Sequence, residues 1–196
     1  MDNVRKVLDE FGAEAVQRAM RNLGASRTID GKKARRVASG KLKNSLTYGL
    51  WKKGPKDIVY FTTDSKETQV YADFIEQGVN GYERNRDAPY SFKRGGGGKK
   101  YAKGELGPMA KAIYEWMRIK PIKLRNTSGR FIKSEEEERK RVAIMIAGSI
   151  RKKGIAGIRY FGEAIENTLE DFGPQFTEAL NLEIQSRLKN DQYKAK

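Results

Sequence analysis

Asp73 and Glu76 stand three residues apart in a stretch of helical spacing, which puts both carboxylates on one face. With Asp64 they form the one cluster that Mg²⁺-dependent hydrolysis would call for, because hard cations take oxygen ligands. No spacing signature accompanies the three, and the plainer reading is a solvated helix face. Glu135, Glu136, Glu137 and Glu138 are consecutive, so their carboxylates diverge around a helix. They suit a helix start, where the dipole favours anions. Gly95, Gly96, Gly97 and Gly98 precede Lys99, but Lys100 stands where a phosphate loop needs Ser or Thr, and no strong hydrophobic strand comes before. The chain has no histidine and no cysteine. That removes the usual base of nucleophilic triads, the thiolate nucleophile, the disulfide and nearly all zinc ligation. The remaining chemistry would rest on carboxylates with Mg²⁺ or on a perturbed lysine. No nucleophile-and-base pairing and no metal-ligand spacing is read among these residues.

Cations are the more prominent chemical feature. The formal net charge is +15 over 196 residues. Such an excess implies a polyanionic partner or surroundings, or else serves solubility. Arg94, Lys99, Lys100 and Lys103 lie in one basic stretch, and Lys123, Arg125 and Arg130 in another. These seven are the candidate DNA-facing or neighbour-contacting residues. Tyr82, Tyr90, Phe92 and Tyr101 are interleaved with the first group. Rings beside cations suit nucleic acid, where bases stack and phosphates pair, and they equally suit anchoring on a neighbouring subunit.

The elements that must carry these residues follow from periodicity. Val4, Val7, Leu8, Phe11, Ala15, Ala19 and Leu23 recur at helical spacing, so residues 4–23 form a helix ended by Gly24. Ser39 is the expected cap of a short helix with Leu42 and Leu46 on one face. Residues 47–51 and 58–62 read as strands of a hairpin around Gly54-Pro55-Lys56-Asp57. Residues 67–77 return to helical spacing, with Gly78 at the end. From 80 to 108 there is no clear period apart from a short strand near residues 90–92, and 93–104 reads as a mobile basic loop. Pro108 opens a helix through Met109, Ile113, Trp116 and Met117. Ser134 is read as the cap of the next helix, closed by Lys152, Lys153 and Gly154, with Val142, Met145, Ile146, Ser149 and Ile150 as its core face. Phe161, Ala164, Ile165, Leu169 and Phe172 mark another helix. Gly173-Pro174 separates it from a last one through Phe176, Leu180, Ile184 and Leu188. The fold class is α+β: several helices packed on a small antiparallel β-sheet, with long basic loops and a C-terminal helix. One domain is expected over 1–173, with basic excursions at about 80–107 and 118–133, followed by a helix and frayed tail over 174–196. No apolar run approaches the roughly 18 residues of a membrane span, and no export signal is read at the N-terminus.

Three segments in order resemble a phage family. Ser39-Gly40-Lys41-Leu42-Lys43-Asn44-Ser45-Leu46 is similar to its Thr/Ser-Gly-x-Leu-x-x-Ser-Ile/Leu stretch. Tyr71-Ala72-Asp73-Phe74-Ile75-Glu76-Gln77-Gly78 resembles its Tyr-Ala-x-x-x-Glu-x-Gly helix. Residues 147–161, with Ile150, Gly154 and Ile155, resemble its Ile-x-x-x-Gly-Ile segment leading into an aromatic and a last helix. The family is the neck, or tail-completion and head–tail joining, proteins of tailed bacteriophages. Val79 stands where many members have Thr, the loops at 82–103 and 120–133 are longer than in compact members, and 174–196 is additional. The resemblance implies a subunit of a homo-oligomeric ring at the head–tail junction. Such a ring joins portal or adaptor to tail proteins and lets packaged DNA pass, with no catalytic residue, no cofactor and no membrane. It implies a virion location after assembly in the host bacterial cytoplasm, and packing roles for Leu42, Tyr71 and Phe74. The alternative is a stand-alone basic nucleic-acid-binding protein.

Overall fold

A computed structural model describes residues 2–34, 40–54, 56–92, 105–119 and 136–194. The fold is α+β. In chain order the elements are α1 (Asp2–Gly24), β1 (Arg27–Ile29), β2 (Lys32–Ala34), α2 (Lys41–Ser45), β3 (Leu46–Lys53), β4 (Lys56–Thr63), α3 (Lys66–Gln77), β5 (Gly78–Asn80), β6 (Tyr90–Ser91), α4 (Pro108–Ile119), α5 (Glu136–Lys153), β7 (Ile155–Ala156) and α6 (Tyr160–Lys194). They divide into two compact units, Met1–Glu76 with Ile158–Lys196, and Gln77–Gly157.

The first unit is built on α1 and α6. Ala15 and Ala19 of α1 and Ala164 and Thr168 of α6 are fully buried. Small side chains at these positions let two helices pack closely. Thr168 spends its hydroxyl on the carbonyl of Ala164 at 2.6 Å, so its burial leaves no polar group unpaired. The β3–β4 hairpin pairs Leu46 with Thr63, Tyr48 with Phe61 and Leu50 with Val59 on one face. That face covers α1. The Phe61 ring meets Phe11 edge-on at 6.3 Å, and Phe172 and Phe176 meet it at 6.0 and 5.8 Å. Burying Phe11 stabilises the unit by about 2–3 kcal/mol. The Tyr48 ring lies where a Cβ on Gly12 would be, and its hydroxyl donates to Asp9 at 2.9 Å.

Two expectations change in this unit. The expected pair of helices around Gly173-Pro174 is one 35-residue helix, about 52 Å long at 1.5 Å per residue. Pro174 removes a helical hydrogen bond at a cost of about 3 kcal/mol. Phe172 and Phe176 lie on either side of it and both pack on Phe11, so a break there would sacrifice a buried aromatic contact. The cap of α2 is Gly40, at φ 80° and without a side-chain bond, rather than Ser39, which lies outside the described residues.

In the second unit β5 is central, parallel to β6 and antiparallel to β7. Asn80 orders the stretch after β5. Its side-chain amide donates to the Ala88 carbonyl at 2.6 Å, and its oxygen accepts from the Arg86 and Ala88 N–H groups at 2.6 and 3.2 Å. Asn80 thus ties residues 86–88 back to β5, while the Tyr82 and Glu83 N–H groups donate to the Arg151 and Lys152 carbonyls at 3.1 and 3.0 Å. The short strand near 90–92 is β6. Met117 of α4 and Ala143 of α5 are buried together, with Ile113, Trp116, Val142 and Ile146 packed against them. Of the expected core face of α5, Val142 and Ile146 pack here and Ile150 is half-buried, but Met145 is 72% exposed and Ser149 is also exposed, while Ala143 and Ala147 are the buried positions. Ala143 sits at the centre of the contact because Met117 of α4 fills the space opposite, and Val142 and Ile146 flank it. Glu136 and Glu137 open α5, and both pair with Lys140 at 3.1 Å. Ser134, Glu135 and the loop at 93–104 lie outside the described residues.

Candidate functional site

A cleft of about 320 Å³ opens in the first unit where β4, α3 and the start of α6 meet. Phe61, Thr62 and Thr63 line it from β4, and Gln69, Ala72, Asp73 and Glu76 from α3. Tyr160, Phe161, Gly162 and Ile165 line it from α6, and Leu46 closes it at the head of β3. Local sequence explains the placement. Ala72 and Ile75 are buried, which turns Asp73 and Glu76 toward the cleft rim. Leu42, Ser45 and Leu46 are buried at the α2–β3 junction, with the Ser45 hydroxyl donating to the Leu42 carbonyl at 2.9 Å.

Glu76 does not wait for a cation. Its Oε2 accepts from the Phe161 N–H at 2.8 Å and its Oε1 from the Gly162 N–H at 2.9 Å. These are orphan donors of the first turn of α6, at the positive end of its dipole. The backbone joins in: Ile158 N–H donates to the Ile75 carbonyl at 3.0 Å and Arg159 N–H to the Glu76 carbonyl at 3.1 Å. Glu76 is therefore the N-terminal cap of α6. Asp73 remains on the same face, and Asp64 sits beyond the end of β4. Among the described residues no group of three or more acids, histidines or cysteines is arranged to hold a metal ion. Tyr160, only 1% exposed, has its phenol pushed up well above its ordinary value by burial, with the Glu76 and Asp73 carboxylates adding to the effect. It is a neutral core residue at working pH, and its role has no sequence signal beyond a helix-start aromatic. The cleft can accept hydrogen bonds from a cationic or polar group; it pairs no nucleophile with a base.

No family model matches the chain, and no curated protein or solved structure matches it. The candidate cationic residues Arg94, Lys99, Lys100, Lys103, Lys123, Arg125 and Arg130 all lie outside the described residues. Of the three expected packing residues, Leu42 is buried and Phe74 half-buried, but Tyr71 is 45% exposed, because the buried row of α3 runs through Ala72 and Ile75. Among the described residues no helix is long and apolar enough to cross a membrane.

Two arginines fasten other parts of this unit. Arg27 of β1 holds Glu163 of α6 through two parallel bonds, at 2.9 and 2.5 Å. Arg18 holds Glu14 at 2.8 Å and Asp171 at 2.6 Å. The Arg27 and Arg18 guanidiniums keep Glu163 and Glu14 below the ordinary carboxyl value of 4.5. A carboxyl depressed in the folded chain contributes its stability above the unfolded value, and that contribution disappears as pH falls through the folded one. The melting temperature is expected to hold above pH 4.5 and to fall below it. Glu163→Gln should lower it at pH 7, by an amount equivalent to roughly 1 kcal/mol after solvent screening. The gap to the native chain should close as pH falls well below 4.5; circular-dichroism melts across this range check it. A gap that persists in acid would assign the loss to packing.

Proposed function

We propose that this chain is a structural subunit of the head–tail junction of a tailed bacteriophage, one member of a homo-oligomeric ring that joins portal or adaptor to tail proteins and lets DNA through. The observation that carries the reading is convergence. The three segments that resemble neck proteins are far apart in sequence, yet each sends residues to one cleft: Leu46 from the first, Ala72, Asp73 and Glu76 from the second, Tyr160 and Phe161 from the third. Their most distinctive residue, Glu76, caps the helix that the third segment opens. The pattern thus has an architectural cause, which is what a family without catalytic residues requires. The test is immunogold electron microscopy of native particles with an antibody against this chain. Label at the head–tail junction is the expected result. Unlabelled particles alongside abundant protein in the cell would overturn it. Deleting residues 93–104 should leave the melting curve unchanged and reduce virion assembly.

The net charge of +15 favours a second reading, a basic nucleic-acid-binding protein outside any virion. It requires DNA affinity whose logarithm falls with log salt at about −0.9 per phosphate contacted. No binding at low salt removes it.

A further inference from the structure

Two exposed faces of the first unit are unlike in composition, and each is the outer side of an element whose inner side packs on α1. On the hairpin, the register places Gly49, Trp51 and Lys53 opposite Tyr60, Ile58 and Lys56 on one outward face. Trp51 is 56% and Tyr60 49% exposed. Lys53 lies over the Trp51 ring at 5.7 Å, and Gly49 leaves room for the Tyr60 ring across the strand. The face is aromatic and basic. On α6, Leu169, Gly173, Leu180 and Ile184 follow one another at four, seven and four residues, the spacing of one helical stripe. The three apolar side chains are 53%, 50% and 54% exposed, and a Cβ on Gly173 would meet nothing within 4 Å. Residues 160–186 include Glu163, Glu166, Glu170, Asp171, Glu178 and Glu183 with no Lys or Arg, in a chain of net charge +15. Glu163, Glu166 and Asp171 are spent on Arg27, Arg159 and Arg18, whereas Glu170, next to Leu169, is exposed at the edge of the stripe. The face is aliphatic with an acidic edge.

We infer that the α6 stripe of one copy of this chain docks on the outward face of the β3–β4 hairpin of the next. Charge selects this arrangement. Hairpin against hairpin brings Lys53 and Lys56 of two copies together and α6 against α6 brings two Glu170 carboxylates together, whereas the crossed pairing sets the lysines against Glu170. A contact between two different patches is head-to-tail, so it propagates and closes by rotation into a ring. The aromatic pair supplies the large rigid anchors typical of interface centres, and Gly173 leaves a gap in the stripe for one of them. This deepens the ring proposal and rests on it for the closure of the ring, not for the contact itself.

The absence of cysteine makes the test clean, because any introduced thiol is the sole one. Thr47→Cys, on the outward hairpin face, and Thr177→Cys, beside the α6 stripe, leave the anchors in place. Both proteins are prepared as full chains, their folding is checked by circular dichroism, and they are treated with a short bismaleimide singly and mixed. The mixture should give a covalent dimer that neither gives alone, and the double variant should give a ladder. Glu170→Lys on the Thr177→Cys partner should reduce the dimer about tenfold, and Lys53→Glu on the Thr47→Cys partner should restore it. Dimer from Thr177→Cys alone at the level of the mixture would overturn the inference in favour of a symmetric helix contact, and no product in any combination would overturn it outright. Junction label without cross-linking would leave the neck reading standing and remove this contact. Cross-linking without junction label would do the reverse.

Discussion

Glu76→Ala is expected to be the most damaging single change in the first unit that leaves no cavity in a core. The carboxylate accepts from Phe161 and Gly162 at 2.8 and 2.9 Å, and both bonds are part-buried. A hydrogen bond to a charged group contributes about 1.5–3 kcal/mol. Removing the acceptor also leaves two helix-start donors to find water in a partly covered cleft. Some of the loss is recovered by solvation, so the net destabilisation should be about 3 kcal/mol. For a chain of this size each kcal/mol shifts the melting temperature by roughly 2–4 °C, giving a fall of about 6–12 °C. Glu76→Gln keeps one acceptor oxygen and turns an amide donor toward the other N–H, so about half the effect should remain. Asp73→Asn, three residues away on the same face, should change stability by less than about 0.5 kcal/mol. Thermal melts of the three variants decide it. Equal losses for Glu76→Ala and Asp73→Asn would mean that the carboxylates act as a pair and that capping is the wrong description.

The contrast between Asp73 and Glu76 shows where sequence reading ends. Their common face was legible, because a spacing of three on a helix fixes it. Their chemistry was not, because the partner of Glu76 is backbone N–H 85 and 86 positions further on, and backbone donors leave no trace in composition. Continuous hydrophobic rows transferred well: α1 matched to within two residues at its start and one at its end, and both hairpin strands were found short by one or two residues at each end. What failed was reading that weighed one residue at a time. Pro174 is a helix breaker by itself, yet its flanking phenylalanines share one partner. Met145 is a good core residue by itself, yet it is exposed: α5 packs through Ala143 and Ala147 with the expected Val142 and Ile146 beside them, and Met117 of α4 fills the space between. Asn80 gave no signal, since the groups it holds lie in an aperiodic stretch. The outward hairpin face was visible as alternation but not as a surface, because only the register shows that Trp51 and Tyr60 share a side.

Gly78→Ala should cost the second unit more than its change of one methyl group suggests. Gly78 sits at φ 86°, a left-handed conformation that disfavours any Cβ. It also pairs with Ala156 in the β5–β7 ladder, so a Cβ there would come 2.6 Å from the Gly157 nitrogen and 2.7 Å from the Ile155 carbonyl oxygen. Both obstacles are backbone and cannot turn aside as a side chain would. Strain and overlap together should destabilise by at least about 3 kcal/mol. Gly31 separates the two causes. It has a similar φ of 74°, but nothing lies within 4 Å of its Cβ position, so Gly31→Ala should carry only the conformational cost of about 1 kcal/mol. Urea titration of both variants gives the difference, and amide exchange locates it. In Gly78→Ala the amides of β5 and β7 should lose protection while those of α1 keep theirs. If the two variants lost the same stability, the close approach of β5 to β7 would be wrong, and the glycine that ends the Tyr-Ala-x-x-x-Glu-x-Gly pattern would be there for its dihedral alone. If they differ as expected, Glu76 and Gly78 are both fixed by backbone neighbours, one through its acceptors and the other through its missing Cβ. A motif of that kind marks how a subunit is built, and the chemistry that distinguishes one such subunit from another lies in its exposed faces.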